Sequence, residues 1–283
     1  VNRKFIFLNL TWKTNFFHVK LHIMSSLRKE ICEMVKIILN GCNGKMGKVV
    51  RSLAEKYSNL SVVAGIDRKS GQGQGVFPVF DNIRRCSVKA DVILDFSRPD
   101  AMDSLIDYGK EKNIGVIFCT TGYSEEQIEK MKEASKFIPV FRSANMSIGI
   151  NVINKILKDI SAFLYKNFDI EIIEKHHNQK VDAPSGTALM LGNTIRDSIK
   201  ENIDFVNGRE GIRKRAHNEI GIHSVRGGSI VGEHEVIFAG QGETIEIKHT
   251  AISREVFAVG ALKACEFMSG RKNGLYSMDN LIS

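Results

Sequence analysis

Eighteen residues, IIEKHHNQKVDAPSGTAL from Ile172 to Leu189, hold two adjacent histidines, a lysine and an aspartate, followed by Pro184, Ser185, Gly186 and Thr187. Histidine exchanges protons near neutral pH. Lys180, close behind His176, brings a fixed positive charge or a second proton. A proline ahead of Ser-Gly-Thr reads as a helix start, where the amides of Gly186 and Thr187 are available to an anion. The order suits a small carboxylate that must be protonated nearby; a plain hydrophilic loop is the alternative reading. Two adjacent histidines at a strand end point opposite ways and make a poor chelating pair. His217, His223, His234 and His249 add no spaced ligand signature, so no metal site is expected.

A second group lies upstream. Gly41, Gly44 and Gly47 of GCNGKMG stand between a strand-like VKIILN and residues that recur at helical spacing, Met46, Val49, Val50, Leu53, Ala54 and Tyr57. Bare backbone at such a turn approaches a pyrophosphate closely, and the helix N-terminus favours its charge. Asp67 ends the next strand, LSVVAGID, at the distance where a carboxylate takes a ribose hydroxyl. Arg68 beside it suits the 2′-phosphate of NADP, so NADH, NADPH or both are expected as cofactor. A glycine-rich turn that merely packs is the competing reading.

The elements that position these residues follow an α/β rhythm. ADVILDFS and IGVIFCTTG read as further buried strands that stop at small polar residues, with a helix in RPDAMDSLIDYGKEKN between them. Ser124 and Gln127 form a capping box that opens SEEQIEKMKEASK. From Ile150 to about Lys166 a long helix is expected. In FDIEIIEKHH, Phe168, Ile170 and Ile172 alternate with Asp169 and Glu171, the pattern of a strand with one wet face. A helix with Ala188, Leu191, Ile195 and Ile199 on one side follows. The glycines of GIHSVRGGSIVGEHEVIFAGQGETIEIKHTA, with Ile245 and Ile247 alternating, read as antiparallel strands and turns, and REVFAVGALKACEFM is a last helix that returns to the first domain.

Composition narrows the class. With 43% hydrophobic and 25% charged residues, a chain of 283 residues has the make-up of a globular protein and the length of two domains. Five cysteines, odd in number and without C-x-x-C spacing, argue against a disulfide framework and a structural zinc site, and point to a reducing, cytoplasmic setting. No apolar run approaches the roughly 18 residues of a membrane helix. The net charge of +8 does not mark a nucleic-acid binder, because half of it falls in residues 1–33 and no basic run is interleaved with aromatics.

In order along the chain, GCNGKMG, DFSRPDA, CTTGYSEEQ, SANMSIGIN, EKHHNQKVDAPSGTA and SVRGGSIVGEHEV resemble the successive motifs of the dihydrodipicolinate reductase family (4-hydroxy-tetrahydrodipicolinate reductase) of the diaminopimelate and lysine pathway. The resemblance runs from Met34 to the closing GLYSMDNL. It implies a Rossmann-like α/β domain that binds NADH or NADPH, over residues 34–147 and 254–283. It also implies an α+β domain with a mixed sheet, over 148–253, that binds substrate and builds a homotetramer. By matching position it makes His176 the proton donor or acceptor and Lys180 a proton donor that also holds the substrate. His177, Gly186 and Thr187 would bind the substrate, a small cyclic imine with two carboxylates. The cofactor would lie along Gly41, Cys42, Asn43, Gly44, Lys45 and Met46, with Asp67 and Arg68 at the adenosine ribose. It would also meet Cys119, Thr120 and Thr121, and Ala144, Asn145, Met146 and Ser147. Asp182 is a candidate to orient Lys180 or His176.

Two departures stand out: the family often has glycine at Cys119, and residues 1–33 have no recognised counterpart. Another nicotinamide dehydrogenase, acting on an amino-acid semialdehyde, explains the glycine turn but not the H-H-x-x-K block. A nicotinamide-sensing regulator lacks a DNA-binding helix pair here and leaves a proton-donor group unexplained. Residues 1–33 are expected to be a poorly ordered extension, with the folded chain starting at Met34. Their deletion is expected to leave activity and solubility intact; collapse of either on deletion overturns that reading.

Overall fold

A computed structural model describes residues 34–68 and 76–283, so the expected extension over 1–33 lies outside the described residues. The strand-like runs of the first half form strands in chain order: β1 (Val35–Asn40), β2 (Leu60–Ile66), β3 (Val79–Phe80), β4 (Val92–Asp95), β5 (Gly115–Phe118) and β6 (Pro139–Arg142). Ile37, Ile38, Leu39, Ile93, Leu94 and Ile117 are wholly buried, as strands covered on both faces must be. Helices α1 (Lys45–Ala54), α2 (Met102–Lys112) and α3 (Glu125–Ala134) form the crossovers. The expected helix at RPDAMDSL is split, a 3₁₀ turn at Pro99–Ala101 leading into α2, which ends on left-handed Asn113. Both halves of the Ser124 and Gln127 capping box are present at the start of α3.

Helix α4 (Ile148–Leu164) begins two residues before the expected start because the Ser147 hydroxyl accepts the Ile150 amide at 3.4 Å and caps it there. The second sheet then follows: β7 (Asp169–His176), α5 (Gly186–Ile199), β8 (Asp204–Asn207), β9 (Glu219–Arg226), β10 (Gly232–Ala239) and β11 (Thr244–Ala251). Its order is β11-β10-β7-β9-β8. Strand β10 runs antiparallel to both β11 and β7, as the glycine-punctuated sequence suggests. However, β9 is parallel to β7 and to β8, so β9 and β10 are not a hairpin despite adjoining in sequence. Strand β7 takes the central place between them because Ile170 and Ile172 are its apolar face and must lie under α4 and α5. Leu157 of α4, the four predicted residues of α5, Ile220, Ile222, Val236 and Phe238 close that core.

The chain returns with α6 (Glu255–Met268), β12 (Gly274–Tyr276) and α7 (Met278–Leu281), and β12 pairs with β6. The first sheet is thus seven parallel strands ordered β12-β6-β5-β4-β1-β2-β3. Its order reverses between β1 and β4, and an open parallel sheet offers a crevice at that point, beyond the carboxyl ends of its strands. Ala258, Ala261, Leu262 and Cys265 of α6 pack in one core with Val50 and Leu53 of α1.

Gly260 lets α6 lie directly against the chain entering α4: a methyl there would sit 1.7 Å from the Met146 carbonyl oxygen. Gly260→Ala is expected to lower stability by about 1–3 kcal/mol, the usual range for overpacking, read as a lower midpoint in denaturant unfolding. An unchanged midpoint contradicts that close approach.

Candidate active site

At the switch point the glycine turn bends back over β2. Gly41 has a left-handed φ of 79°, and a methyl on it would meet the Phe96 carbonyl oxygen at 2.6 Å, so only glycine fits. Its amide and that of Cys42 donate to the Ile66 carbonyl, at 2.8 and 3.3 Å. Gly44, the residue before α1, offers no side chain to cap the helix. The turn amide of Asn43 donates to Asp67 at 3.0 Å. Gly41, Gly44, Asp67 and Arg68 line one cleft of about 510 Å³ together with Asn82, Ser97 and Arg98. Arg68 is ion-paired with Asp100 at its mouth. The cleft's volume, bare turn and uncapped helix end fit a dinucleotide.

Three predicted cofactor residues turn their side chains into the protein. Cys42, Cys119 and Met146 are buried in the same core, leaving their backbones to meet a ligand. Burial pushes the Cys42 thiol up to about 11 and Cys119 well above its ordinary value, so neither is a nucleophile. Thr120 donates to Asp95 at 2.9 Å. Asp95 is wholly buried and also takes Asn40 at 2.8 Å, the Ser97 hydroxyl at 2.6 Å and the Tyr123 hydroxyl at 3.1 Å. Burial raises its pKa against those hydrogen bonds. This carboxylate ties the ends of β1, β4 and β5 into one edge.

The segment 144–147 joins the two sheets. Asn145 Nδ2 donates to Thr187 Oγ1 at 2.9 Å, while its Oδ1 accepts the Ser147 amide at 2.8 Å. A residue expected at the cofactor therefore touches one expected at the substrate. Ser147 Oγ lies 3.3 Å from His249 Nε2 on β11.

The stretch from Ile172 to Leu189 folds as the end of β7, a loop and the start of α5. Ser185 caps α5, accepting the Ala188 amide at 3.2 Å, so Gly186 and Thr187 occupy its first turn. Lys180 donates to Asp182 at 2.8 Å, a contact that lowers the Asp182 pKa. His177 is half-buried and leaves the strand, whereas His176 is buried on its inner face. There the His176 Nδ1 lies 2.6 Å from Glu174, two residues back on the same face. A carboxylate only accepts, so Nδ1 carries the proton and the neutral ring keeps its lone pair at Nε2. Glu174, wholly buried, also accepts Arg226 through two bonds of 2.8 and 2.7 Å and the Ser185 amide at 3.1 Å. Burial raises the Glu174 pKa, but hydrogen bonds from Arg226, His176 and Ser224 outweigh it and hold the group at about 2. Burial lowers His176, against the pull of Glu174 and with the help of Lys180 and Arg226.

Glu174, Arg226, Ser185 and His234 are missing from the sequence-derived set. One signal does exist: Glu174 and His176 occupy the inward positions of a strand whose preceding inward residues are Ile170 and Ile172, and a charge on an apolar face needs a partner. Among the described residues no group of three or more His, Cys, Asp or Glu side chains could hold a metal ion, and no helix is long and apolar enough to cross a membrane.

A doubly wound sheet with a dinucleotide cleft at its switch point, joined through Asn145 to a second sheet bearing a carboxylate-bound histidine and a lysine, defines the class of two-domain nicotinamide-dependent oxidoreductases. Family models describe the particular case: Dihydrodipicolinate reductase, N-terminus, matches residues 35–146 and Dihydrodipicolinate reductase, C-terminus, matches 149–282. The chain belongs to the dihydrodipicolinate reductase family. It is 67% identical over 249 residues to a 4-hydroxy-tetrahydrodipicolinate reductase of Clostridium novyi, covering 88% of this chain and 98% of that protein. It is 50% identical over 250 residues to one of Caldanaerobacter subterraneus, with 88% and 98% covered. The fold is shared with dipicolinate-bound dihydrodipicolinate reductase from Paenisporosarcina sp. TG-14, at a TM-score of 0.75 and 24% identity over 87% of this chain and 99% of that one. A probable dehydrogenase from Thermotoga maritima shares it more loosely, at 0.60 and 11% over 88% and 92%.

Because the folded-state pKa of Glu174 is depressed, from 4.5 to about 2, its contribution to stability is present above pH 4.5 and fades as the pH falls towards 2. The stability difference between the wild type and Glu174→Gln is therefore expected to shrink across that window in acid unfolding. A difference that stays constant from pH 6 to 2 contradicts the ion pair.

Proposed function

We propose that this chain reduces 4-hydroxy-tetrahydrodipicolinate to tetrahydrodipicolinate with NADH or NADPH, in diaminopimelate and lysine biosynthesis. The observation that carries this reading is the convergence of His176, Lys180 and the first turn of α5 beside the cofactor-facing segment 144–147, through Asn145 and Thr187. Residues 34–147 with 254–283 are the dinucleotide-binding domain, and 148–253 are the substrate domain and the base of a homotetramer. The setting is cytoplasmic, in keeping with thiols that are all unpaired among the described residues, and no nucleic acid or membrane is a partner.

Gly41 to Met46 would hold the dinucleotide's pyrophosphate, the first amides of α1 meeting its charge. Asp67 would take the ribose hydroxyls, and Arg68 would exchange Asp100 for a 2′-phosphate where there is one. Thr120, Thr121 and the backbone from Ala144 to Ser147, with Cys119, would border the nicotinamide end. When bound, the reduced nicotinamide supplies the hydride.

The substrate is a small ring with two carboxylates and an unsaturated nitrogen. One carboxylate sits on the amides of Gly186 and Thr187 at the N-terminus of α5, where the helix favours negative charge, with His177 beside it. Lys180 meets the ring as a cation, held by Asp182 until substrate replaces that contact. The 4-hydroxyl leaves with an adjacent ring hydrogen as water, and His176 or Lys180 would protonate the ring as hydride is supplied, neutralising the charge it brings.

The test is a coupled assay in which the upstream synthase, pyruvate and aspartate semialdehyde generate the substrate, and loss of reduced-nicotinamide absorbance is followed with each cofactor. Oxidation is expected only with all components present, and Lys180→Ala is expected to lower kcat/KM by about 10²–10⁴, the usual worth of a positioned proton donor. No oxidation by folded protein, or an unaffected Lys180→Ala enzyme, overturns the reading.

A further inference from the structure

We propose that Glu174 is the positioning residue of the proton-transferring histidine, and that Arg226 is the clamp that fixes Glu174 and, through the same fork, the loop bearing Lys180. The inference rests on the proposed reductase activity and extends it to two residues that act through His176 and the Lys180 loop.

Geometry carries it. Glu174 and His176 share the inner face of β7, and the Nδ1 to Oε2 distance of 2.6 Å is that of a short, charge-assisted bond. Satisfying the carboxylate does not require the histidine, since Arg226 already grips both oxygens and the Ser185 amide adds a third donor. The second guanidinium nitrogen also donates to the Asp182 carbonyl at 2.7 Å. One planar group thus binds the carboxylate that orients His176 and the backbone of the loop that carries Lys180 and Asp182. Lysine, with a compact ammonium, cannot make this fork.

The remaining neighbours leave Nε2 as the exchanging atom. Gly232, at the start of β10, opens the space beside it: a methyl there would sit 3.2 Å from Nε2. His234 on the same strand meets the His176 ring edge-on at 5.1 Å, with its Nε2 3.0 Å from Ser185 Oγ. Burial and the nearby His176 hold His234 at about 3, so it adds no charge near neutrality. His249 lies across from it on β11, also lowered by burial. The charged groups facing His176 are therefore Glu174 on its own strand, Arg226 on β9, and Lys180 with its partner Asp182 on the loop. Among the charged groups described, Glu174 is the one hydrogen-bonded to the ring, and it favours the protonated form. In the step itself, after the 4-hydroxyl has left with an adjacent ring hydrogen as water, the Nε2–H bond of the imidazolium would break, its proton would pass to the ring that a bound reduced nicotinamide would have supplied with hydride, and the neutral imidazole would keep Nδ1–H on Glu174. Water then returns a proton to Nε2.

The test uses the full chain with ¹⁵N-labelled histidine. Long-range ¹H–¹⁵N spectra of the wild type are expected to show neutral His176 protonated at Nδ1, and Glu174→Gln to lose that preference. In the coupled assay Glu174→Gln is expected to lose kcat about 10- to 100-fold, the scale of other orienting carboxylates. The KM for the dinucleotide should stay unchanged, and the high-pH limb of kcat should move to lower pH because the imidazolium has lost its counter-charge. Glu174→Asp, which keeps the charge, should restore part of kcat and return the limb towards its wild-type position. A wild-type His176 protonated at Nε2, or a Glu174→Gln enzyme with an unmoved limb, overturns the proposal. The wild-type spectrum decides even if Glu174→Gln does not fold. Should the wild type oxidise neither cofactor while the spectrum shows Nδ1–H, the reductase reading fails and the positioning geometry stands.

Discussion

A carboxylate shut away from water has to be answered by donors, and Glu174 is answered by donors drawn from three elements. His176 comes from its own strand, the two guanidinium bonds from β9, and the Ser185 amide from the turn that opens α5. Loss of one partner from a buried pair costs about 3–5 kcal/mol, a large share of the stability of an ordinary domain. This requirement explains features that otherwise look unrelated. Strand β7 lies between β9 and β10 so that Arg226 stands directly across from His176 in register. The end of β7, the loop and the start of α5 are held against each other because Ser185 donates to the same oxygen as Arg226.

The other sheet has a parallel arrangement with a different answer. Asp95 is equally buried, but its partners among the described residues are neutral groups from β1, from its own loop and from the residues after β5, and its pKa is raised rather than lowered. One buried carboxylate frames the strand ends of the first sheet through hydroxyls and an amide, and the other frames His176 in the second through a guanidinium. The two frames meet at Asn145, whose amide reaches Thr187 while its carbonyl oxygens hold the backbone at Ser147 and the Asn151 side chain. That junction also receives α6, which approaches Met146 so closely that Gly260 is the residue the contact allows.

Much of this was legible in the residues. Strand and helix runs, the capping box at Ser124, the inner face of α5 and the glycine turn follow from periodicity and from backbone freedom, both local properties. The order of the motifs was enough to suggest the family. Asp67 and the turn meet as their spacing implies, because one βαβ unit has few ways to close. The inward alternation of β7 was also visible as far as Ile172, and His176 was read as a site residue, but Glu174, which continues that face between them, was not.

What tertiary structure alone decided is which distant residues become partners. Nothing local ties Glu174 to Arg226, 52 residues on, or Asn145 to Thr187. The placing of β9 parallel to β7 with β10 on the other side is equally invisible in a sequence where β9 and β10 adjoin. Sequence fixes a residue's chemistry and the face of its own strand or helix, because those depend on neighbours a few bonds away. Which opposite charge fills the space across a sheet depends on strand order, and strand order is set by burying whole faces at once. The proton-exchanging types were therefore written in the chain, while the tautomer of His176 was settled by a partner that only the folded sheet supplies.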